Sequence, residues 1–204
     1  MSVDAPLLTR DESRAVDRSL IGAGVTGVLL MENAGRGAAE EIMRRAPSAR
    51  RVTVLVGPGN NGGDGLVVAR HLVTARASIE VTVACVVDPS KLTGDAAVMR
   101  DAWFAVGGAV SVLREADDPT PLVEGRDVVV DALFGTGLSR ALEGAPLRCV
   151  EALAKASPAL VVALDVPSGV DADTGAPLGS REGAVTAHVT CTFAASKQIG
   201  RAHV

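Results

Sequence analysis

Three segments of the chain concentrate the polar groups that could bind and transform a ligand. They are Gly57-Pro-Gly-Asn-Asn-Gly-Gly-Asp-Gly65, Asp131-Ala-Leu-Phe-Gly-Thr-Gly137 and Asp165-Val-Pro-Ser-Gly169. Glycines let a backbone approach a phosphate closely, and the aspartates beside them can act as acid/base groups. Each segment follows a short run of apolar, β-branched residues, which predicts a strand. If those strands are parallel, all three segments lie at the edge where open α/β sheets bind their ligands.

The first segment has the spacing Gly57-x-Gly59-x-x-Gly62 between a predicted strand and a predicted helix. That context matches the dinucleotide-binding fingerprint, in which the N-terminus of the helix receives a phosphate. A redox dinucleotide site would also need an acid at the end of the next strand, and Asp88 lies too far along the chain for that role. The segment adds three polar residues that a phosphate loop does not require: Asn60, Asn61 and Asp64.

The second and third segments each begin with an aspartate at the end of a predicted strand. Asp131 precedes a Gly-Thr-Gly sequence, and Arg140 follows it as a possible phosphate contact. A proline and a glycine after Asp165 predict a sharp turn that presents Asp165 and Ser168. If the three loops meet, Asn61, Asp131 and Ser168 offer an amide oxygen, a carboxylate and a hydroxyl. Such hard oxygen ligands suit a weakly held cation such as potassium.

The elements that must position these residues are predicted from periodicity and capping signals. Thr9 and Glu12 form a capping-box pattern that predicts a helix from about 10 to 22, and Thr26 can cap a second helix that ends near 45. Further helices are predicted at about 65–75, 94–107 and 146–156, and residues 115–121 are predicted to form a polar surface loop. Strands are predicted at 52–56, 79–87, 109–113, 127–131, 160–165 and 188–193. The alternation predicts an α/β fold with a mostly parallel sheet, preceded by two extra N-terminal helices.

Composition limits the remaining classes of protein. The 204 residues are 48% hydrophobic but only 2% aromatic, with no Tyr, which predicts an aliphatic core suited to a parallel sheet. The net charge is −4 without a basic stripe, so we expect no nucleic-acid partner. We also expect no membrane span and no signal peptide. Three widely spaced cysteines predict reduced thiols and a cytoplasmic location.

The three segments, with two others, resemble a known family, the YjeF N-terminal domain, whose enzymatic members are NAD(P)H-hydrate epimerases. The additional matches are Leu30-Met-Glu-Asn-Ala-Gly35 and Thr192-Phe-Ala-Ala-Ser-Lys197. All five occur in the family's order and together cover about residues 8–197. The resemblance implies a three-layer Rossmann-like sandwich that forms a homodimer. It identifies residues 1–204 as a single domain of this type.

The resemblance also implies roles for individual residues. Asn61, Asp131 and Ser168 would hold one K⁺ per subunit, and Asp165 would be the catalytic residue. The residues implied to contact the hydrated nucleotide are Asn60, Asn61, Gly62, Gly63, Asp64, Gly135, Thr136, Gly137, Leu138, Ser139, Arg140, Ala141 and Asp165.

The implied reaction interconverts the R and S forms of NADHX and NADPHX, damaged cofactors that carry added water at C6 of the nicotinamide ring. These nucleotides are substrates, and a partner dehydratase repairs the S form alone. Inversion at C6 requires one bond to break and re-form on the other face, through ring opening or an iminium ion. Either route needs a positioned acid/base group. We predict Asp165 for this role and Asp64 as the second candidate.

Two other functions remain open at this stage. The glycine loop could serve an ordinary dehydrogenase, although the missing ribose-binding acid disfavours that function. The chain could also be a non-catalytic nucleotide-binding or scaffold module of the same fold. Family members continue beyond the Thr192 segment into another strand, so we expect either a truncated C-terminus or a dehydratase domain that has been removed.

Overall fold

The computed structural model describes residues 7–193, and these form one six-stranded sheet with helices on both faces. Every strand pairing among those residues is parallel, and the strand order is β3-β2-β1-β4-β5-β6. The strands are β1 (Arg51–Val56), β2 (Glu80–Cys85), β3 (Val110–Val112), β4 (Val128–Ala132), β5 (Leu160–Leu164) and β6 (Val189–Cys191). The expected α/β class is confirmed, and the described sheet is parallel throughout.

Six α-helices belong to the described part of the chain. They are α1 (Arg10–Gly22), α2 (Gly27–Arg45), α3 (Asn60–Ala75), α4 (Gly94–Ala105), α5 (Thr120–Val123) and α6 (Gly144–Ala156). The second, third and fourth helices bury their apolar residues against one face of the sheet. The fifth and sixth pack against the other face. The molecule is therefore a three-layer α/β sandwich.

The alternation of side chains along β1 explains why both faces need helices. Val52, Val54 and Val56 point into one core cluster, and Leu55 points into the other. All four side chains are fully buried. Successive strand residues point to opposite faces, so an uninterrupted apolar run requires cover on both sides.

The two N-terminal helices differ in how they join this core. α2 lies within the helical layer, where Gly35 meets α3 so closely that a Cβ there would stand 2.5 Å from the Cβ of Val67. α1 has one buried residue, Ser13, and is held at its N-terminal end. The Arg10 amide donates to Asp173 Oδ1 at 2.6 Å, and the Arg10 guanidinium pairs with Asp171 at 2.9 Å.

The structure corrects two predicted boundaries. α3 begins at Asn60, not near residue 65, so two thirds of the predicted glycine loop is helical. Close packing outweighs the low helix propensity of glycine, because a Cβ at Gly63 would stand 2.5 Å from Met31 Sδ. The predicted surface loop 115–121 runs into α5, because Val123 is fully buried against the sheet. Across residues 7–193, no helix is both long enough and apolar enough to cross a membrane.

Candidate active site

The three predicted segments meet at the carboxyl edge of the sheet. They follow β1, β4 and β5, which are parallel neighbours in the strand order. Asp131 lies one residue before the end of β4, in register with Leu55 of β1 and Ala163 of β5. The convergence predicted from strand direction is therefore present.

Asp131 and Ser168 form a fully buried pair that links two of the loops. The Ser168 hydroxyl donates to Asp131 Oδ1 at 2.6 Å, and the Ser168 amide donates to Oδ2 at 2.8 Å. The Leu133 amide adds a third hydrogen bond, to Oδ1 at 3.2 Å. Burial raises the pKa of Asp131 to about 6, and these hydrogen bonds oppose that rise. The Asp131 carboxylate is therefore held where water does not solvate its charge.

Asn61 brings a buried amide with no partner to the same region. Asn61 lies in the first turn of α3 and is only 8% exposed. Neither its Oδ1 nor its Nδ2 has a hydrogen-bond partner among the described residues. A buried polar group without a partner costs about 1–3 kcal/mol, so a ligand or ion that contacts the amide is expected.

Asp165 faces Asn61 across the backbone of Gly135. A Cβ on Gly135 would stand 2.6 Å from Asp165 Oδ2 and 3.3 Å from Asn61 Oδ1. The Thr136 amide donates to Asp165 Oδ2 at 3.0 Å, which fixes the carboxylate beside the loop. Asp165 is half-buried and has a left-handed backbone, with φ of 63°. An uncommon conformation of this kind in a non-glycine residue is typical of functional sites.

Asp64 lies one helical turn after Asn61 in α3 and is a second carboxyl group of this site. Burial is the main cause that raises its pKa well above the ordinary value, and the carboxylates of Asp165 and Asp17 raise it further. Burial and these two carboxylates therefore favour the protonated form of Asp64. Asp17 belongs to α1, and sequence reasoning did not connect it with the site. No pattern in the sequence identified it, because its influence on Asp64 depends on how α1 docks.

The N-terminus of α3 provides a place for an anionic group. Gly59 caps the helix without a side-chain hydrogen bond, and the Gly63 amide makes the first helical bond, to the Gly59 carbonyl at 3.3 Å. The amides of Asn60, Asn61 and Gly62 consequently have no intrahelical acceptor. Such amides, together with the helix dipole, attract phosphate.

The predicted substrate loop after β4 divides into three parts. Gly135 and Thr136 lie at the Asp165 carboxylate. Leu138 is buried in the core on the α6 side of the sheet, so its side chain does not face the site. The remaining four residues are exposed at the surface and available to a ligand: Gly137, Ser139, Arg140 and Ala141.

The fold and the site define a Rossmann-like α/β domain with a nucleotide-type helix N-terminus and a cluster of aspartates at the carboxyl edge of its sheet. The family described as "YjeF-related protein N-terminus" matches residues 28–199. The chain therefore belongs to the YjeF-related N-terminal family.

Known proteins similar to this chain include both short and long members. The chain is 40% identical to an "NAD(P)H-hydrate epimerase" of Pirellula staleyi, over 92% of its own length and 82% of that protein's. It is 43% identical to the "Bifunctional NAD(P)H-hydrate repair enzyme Nnr" of Thermanaerovibrio acidaminovorans, but spans only 36% of that longer relative. The crystal structure of the yeast protein YNL200c superimposes with a TM-score of 0.83 at 26% identity, over 95% of this chain and 82% of the yeast chain.

Proposed function

We propose that this protein is an NAD(P)H-hydrate epimerase, an isomerase that interconverts the R and S forms of NADHX and NADPHX. The observation that carries the proposal is the Asp165 carboxylate, held at Gly135 beside Asn61 and close to the N-terminus of α3. An acid/base group next to a phosphate-binding helix end suits a nucleotide whose reactive ring needs proton transfer. The similarity to proteins named as epimerases supports the same activity.

The geometry suggests how the residues divide the chemistry. C6 of the hydrated ring is a hemiaminal carbon, and its inversion requires protonation or deprotonation of the hydroxyl as one bond to C6 breaks. Asp165 would exchange that proton, because it is half-buried and its carboxylate is fixed by Thr136. The raised pKa of Asp64 favours its protonated form, so Asp64 suits a hydrogen-bond or proton donor better than the first base.

The residues also fit a potassium ion held by Asn61, Asp131 and Ser168. Asn61 Oδ1 is a buried acceptor without a partner, and Asp131 is a buried carboxylate whose pKa is raised by burial. A bound cation would neutralise that carboxylate and draw the three loops together. All three donors are hard oxygens, as potassium prefers.

Homodimerisation and partnership with a dehydratase are further parts of this proposal. Val16, Leu20 and Ile21 on α1 and Leu29 on α2 are large apolar residues that are 38–50% exposed, and a second copy would cover them. The bifunctional relatives support coupling to a dehydratase.

The three cysteines are unpaired, which supports a reducing compartment such as the cytoplasm.

Epimerisation is tested with racemic NADHX and a dehydratase specific for the S form. The dehydratase alone should consume half of the pool quickly and the remainder at the rate of spontaneous epimerisation. Addition of the protein should convert the whole pool rapidly, as followed by the return of NADH absorbance at 340 nm. Consumption of the second half at no more than the spontaneous rate would rule out the epimerase. Oxidation of NADH with an added carbonyl substrate would instead support a dehydrogenase.

Potassium binding is tested by measuring thermal stability instead of activity. KCl at ten times its dissociation constant should stabilise the wild type by about 1.4 kcal/mol relative to choline chloride of equal ionic strength. The Asn61→Leu variant should be at least as stable as the wild type without potassium, because it removes a buried amide that lacks partners. It should gain nothing when KCl is added. Equal gains in the two proteins would contradict the site.

A further inference from the structure

A cavity lies away from Asp165, beyond the ends of β2 and β3. Its volume is about 630 Å³, within the range of small-molecule sites. Three regions line it: residues 86–88 with Lys91 after β2, residues 112–115 at the end of β3, and residues 143–146 at the start of α6. The cavity opens at the same carboxyl edge of the sheet as the aspartate cluster.

The position of the cavity relative to Asp165 suits an elongated ligand that has one end at each place. Asp165 follows β5, and β4 and β1 lie between that strand and the β2–β3 pair. Three to four strand spacings of roughly 4.8 Å separate the two places by about 17 Å. The segment 133–143 joins them, because it contacts Asp165 at Gly135 and reaches the cavity at Glu143. A dinucleotide stretched along this segment would place one end at each.

The charges of the cavity wall are mixed, and its two cations lack ion-pair partners. Lys91 and Arg114 line the cavity, and neither forms a salt bridge with any residue in the described range 7–193. Asp88 is held in place, since its Oδ1 accepts from the Ser90 amide at 2.9 Å. The Glu115 carboxylate lies beside the first residue of α6, so it occupies the position where that helix end would attract an anion. Glu143 is a third carboxylate of the lining, so an added phosphate would have only Lys91 and Arg114 as cationic partners.

We propose that this cavity holds the adenosine half of the hydrated dinucleotide, with Lys91 and Arg114 as the residues that accept the 2′-phosphate of NADPHX. The inference rests on the proposed function and extends it to substrate specificity. Asp88, which sequence spacing placed too far along the chain for this role, lies at the cavity wall and would accept from ribose hydroxyls, so the unphosphorylated substrate also fits. The reactive ring would lie at Asp165, at the other end of the segment 133–143.

Binding of two substrate fragments tests the proposal independently of catalysis. ADP-ribose and ADP-ribose 2′-phosphate both lack the reactive ring, and isothermal titration calorimetry gives their dissociation constants. In the double variant Lys91→Ala/Arg114→Ala, affinity for the 2′-phosphate ligand should fall at least tenfold, while affinity for ADP-ribose should change less than twofold. Lys155→Ala, which removes a cation from the last turn of α6, is the matched control and should change neither.

A second variant tests the cavity itself. Ala145→Phe places a large side chain in the cavity wall and should weaken both ligands at least tenfold, with an unchanged melting temperature as the check on folding. Unchanged binding in Ala145→Phe, equal effects of the double variant on both ligands, or no binding of either ligand to the wild type would overturn the assignment. If the variants behave as expected but NADHX is not epimerised, the cavity stands and the proposed reaction fails. The reverse combination refutes the cavity alone.

Discussion

The Asp165→Asn variant is expected to lose between a hundredfold and ten-thousandfold of its epimerisation rate, the usual contribution of a positioned acid/base group. The amide keeps the shape of the side chain and can still accept from the Thr136 amide. It cannot exchange a proton with the hydroxyl at C6. Asparagine also tolerates the left-handed backbone that Asp165 adopts, so the local fold is preserved. The kcat for NADHX, measured with excess dehydratase, gives the loss directly.

The matched control for that variant is Asp64→Asn. Burial raises the pKa of Asp64 and disfavours its charged form, so the nearly isosteric asparagine should perturb the site little. We expect its rate to fall less than that of Asp165→Asn, and affinity for ADP-ribose to stay within twofold in both variants. Turnover near the wild-type rate in Asp165→Asn, or a greater loss in Asp64→Asn, would exclude Asp165 as the principal acid/base group.

The second large effect is expected in Gly57→Ala, through stability. Gly57 follows β1 and donates from its amide to the Ala132 carbonyl at 3.0 Å. A Cβ at this position would stand 1.7 Å from the Leu133 carbonyl oxygen. Because that oxygen is a backbone atom, no side-chain rotation can relieve the clash. The chain must separate β1 from the loop after β4, so we expect a loss of roughly 3 kcal/mol or more in the free energy of unfolding. Urea denaturation measures the loss.

The same substitution two residues later provides the control. Gly59 has extended backbone dihedral angles, and a Cβ there would meet no atom within 4 Å. Gly59→Ala should therefore cost less than about 1 kcal/mol, the cost of a poorer helix cap. Similar losses in the two variants would show that glycine at position 57 is not required by close contact with Leu133.

Much of the fold could be predicted because local signals and tertiary packing agree. The capping box at Thr9 predicted the start of α1, and the structure forms both of its hydrogen bonds. The run 52–56 predicted a strand because its alternate residues enter two different cores. Strand direction alone then placed the segments that follow β1, β4 and β5 at one edge of the sheet. Their meeting needed no knowledge of side-chain contacts.

Other features depend on contacts that sequence spacing does not encode. α3 starts at Asn60 because glycines there pack against neighbouring chain segments, whereas propensity alone predicts a later start. The influence of Asp17 on Asp64 requires the docking of α1, which shows no pattern specific to the site. The cavity near Arg114 exists only because the ends of β2 and β3 meet the start of α6. Sequence spacing therefore did not indicate a role for Lys91 and Arg114.

The attachment of α1 by its first residue has a consequence for how the molecule opens. Arg10 bonds to Asp171 and Asp173, only a few residues after Ser168, while the rest of α1 buries little. The helix and the turn around Ser168 are therefore expected to share one local unfolding event with a single free energy of opening. Whatever covers the exposed side of α1 would raise that free energy. Order in the aspartate cluster would then depend on a surface at the opposite end of the helix.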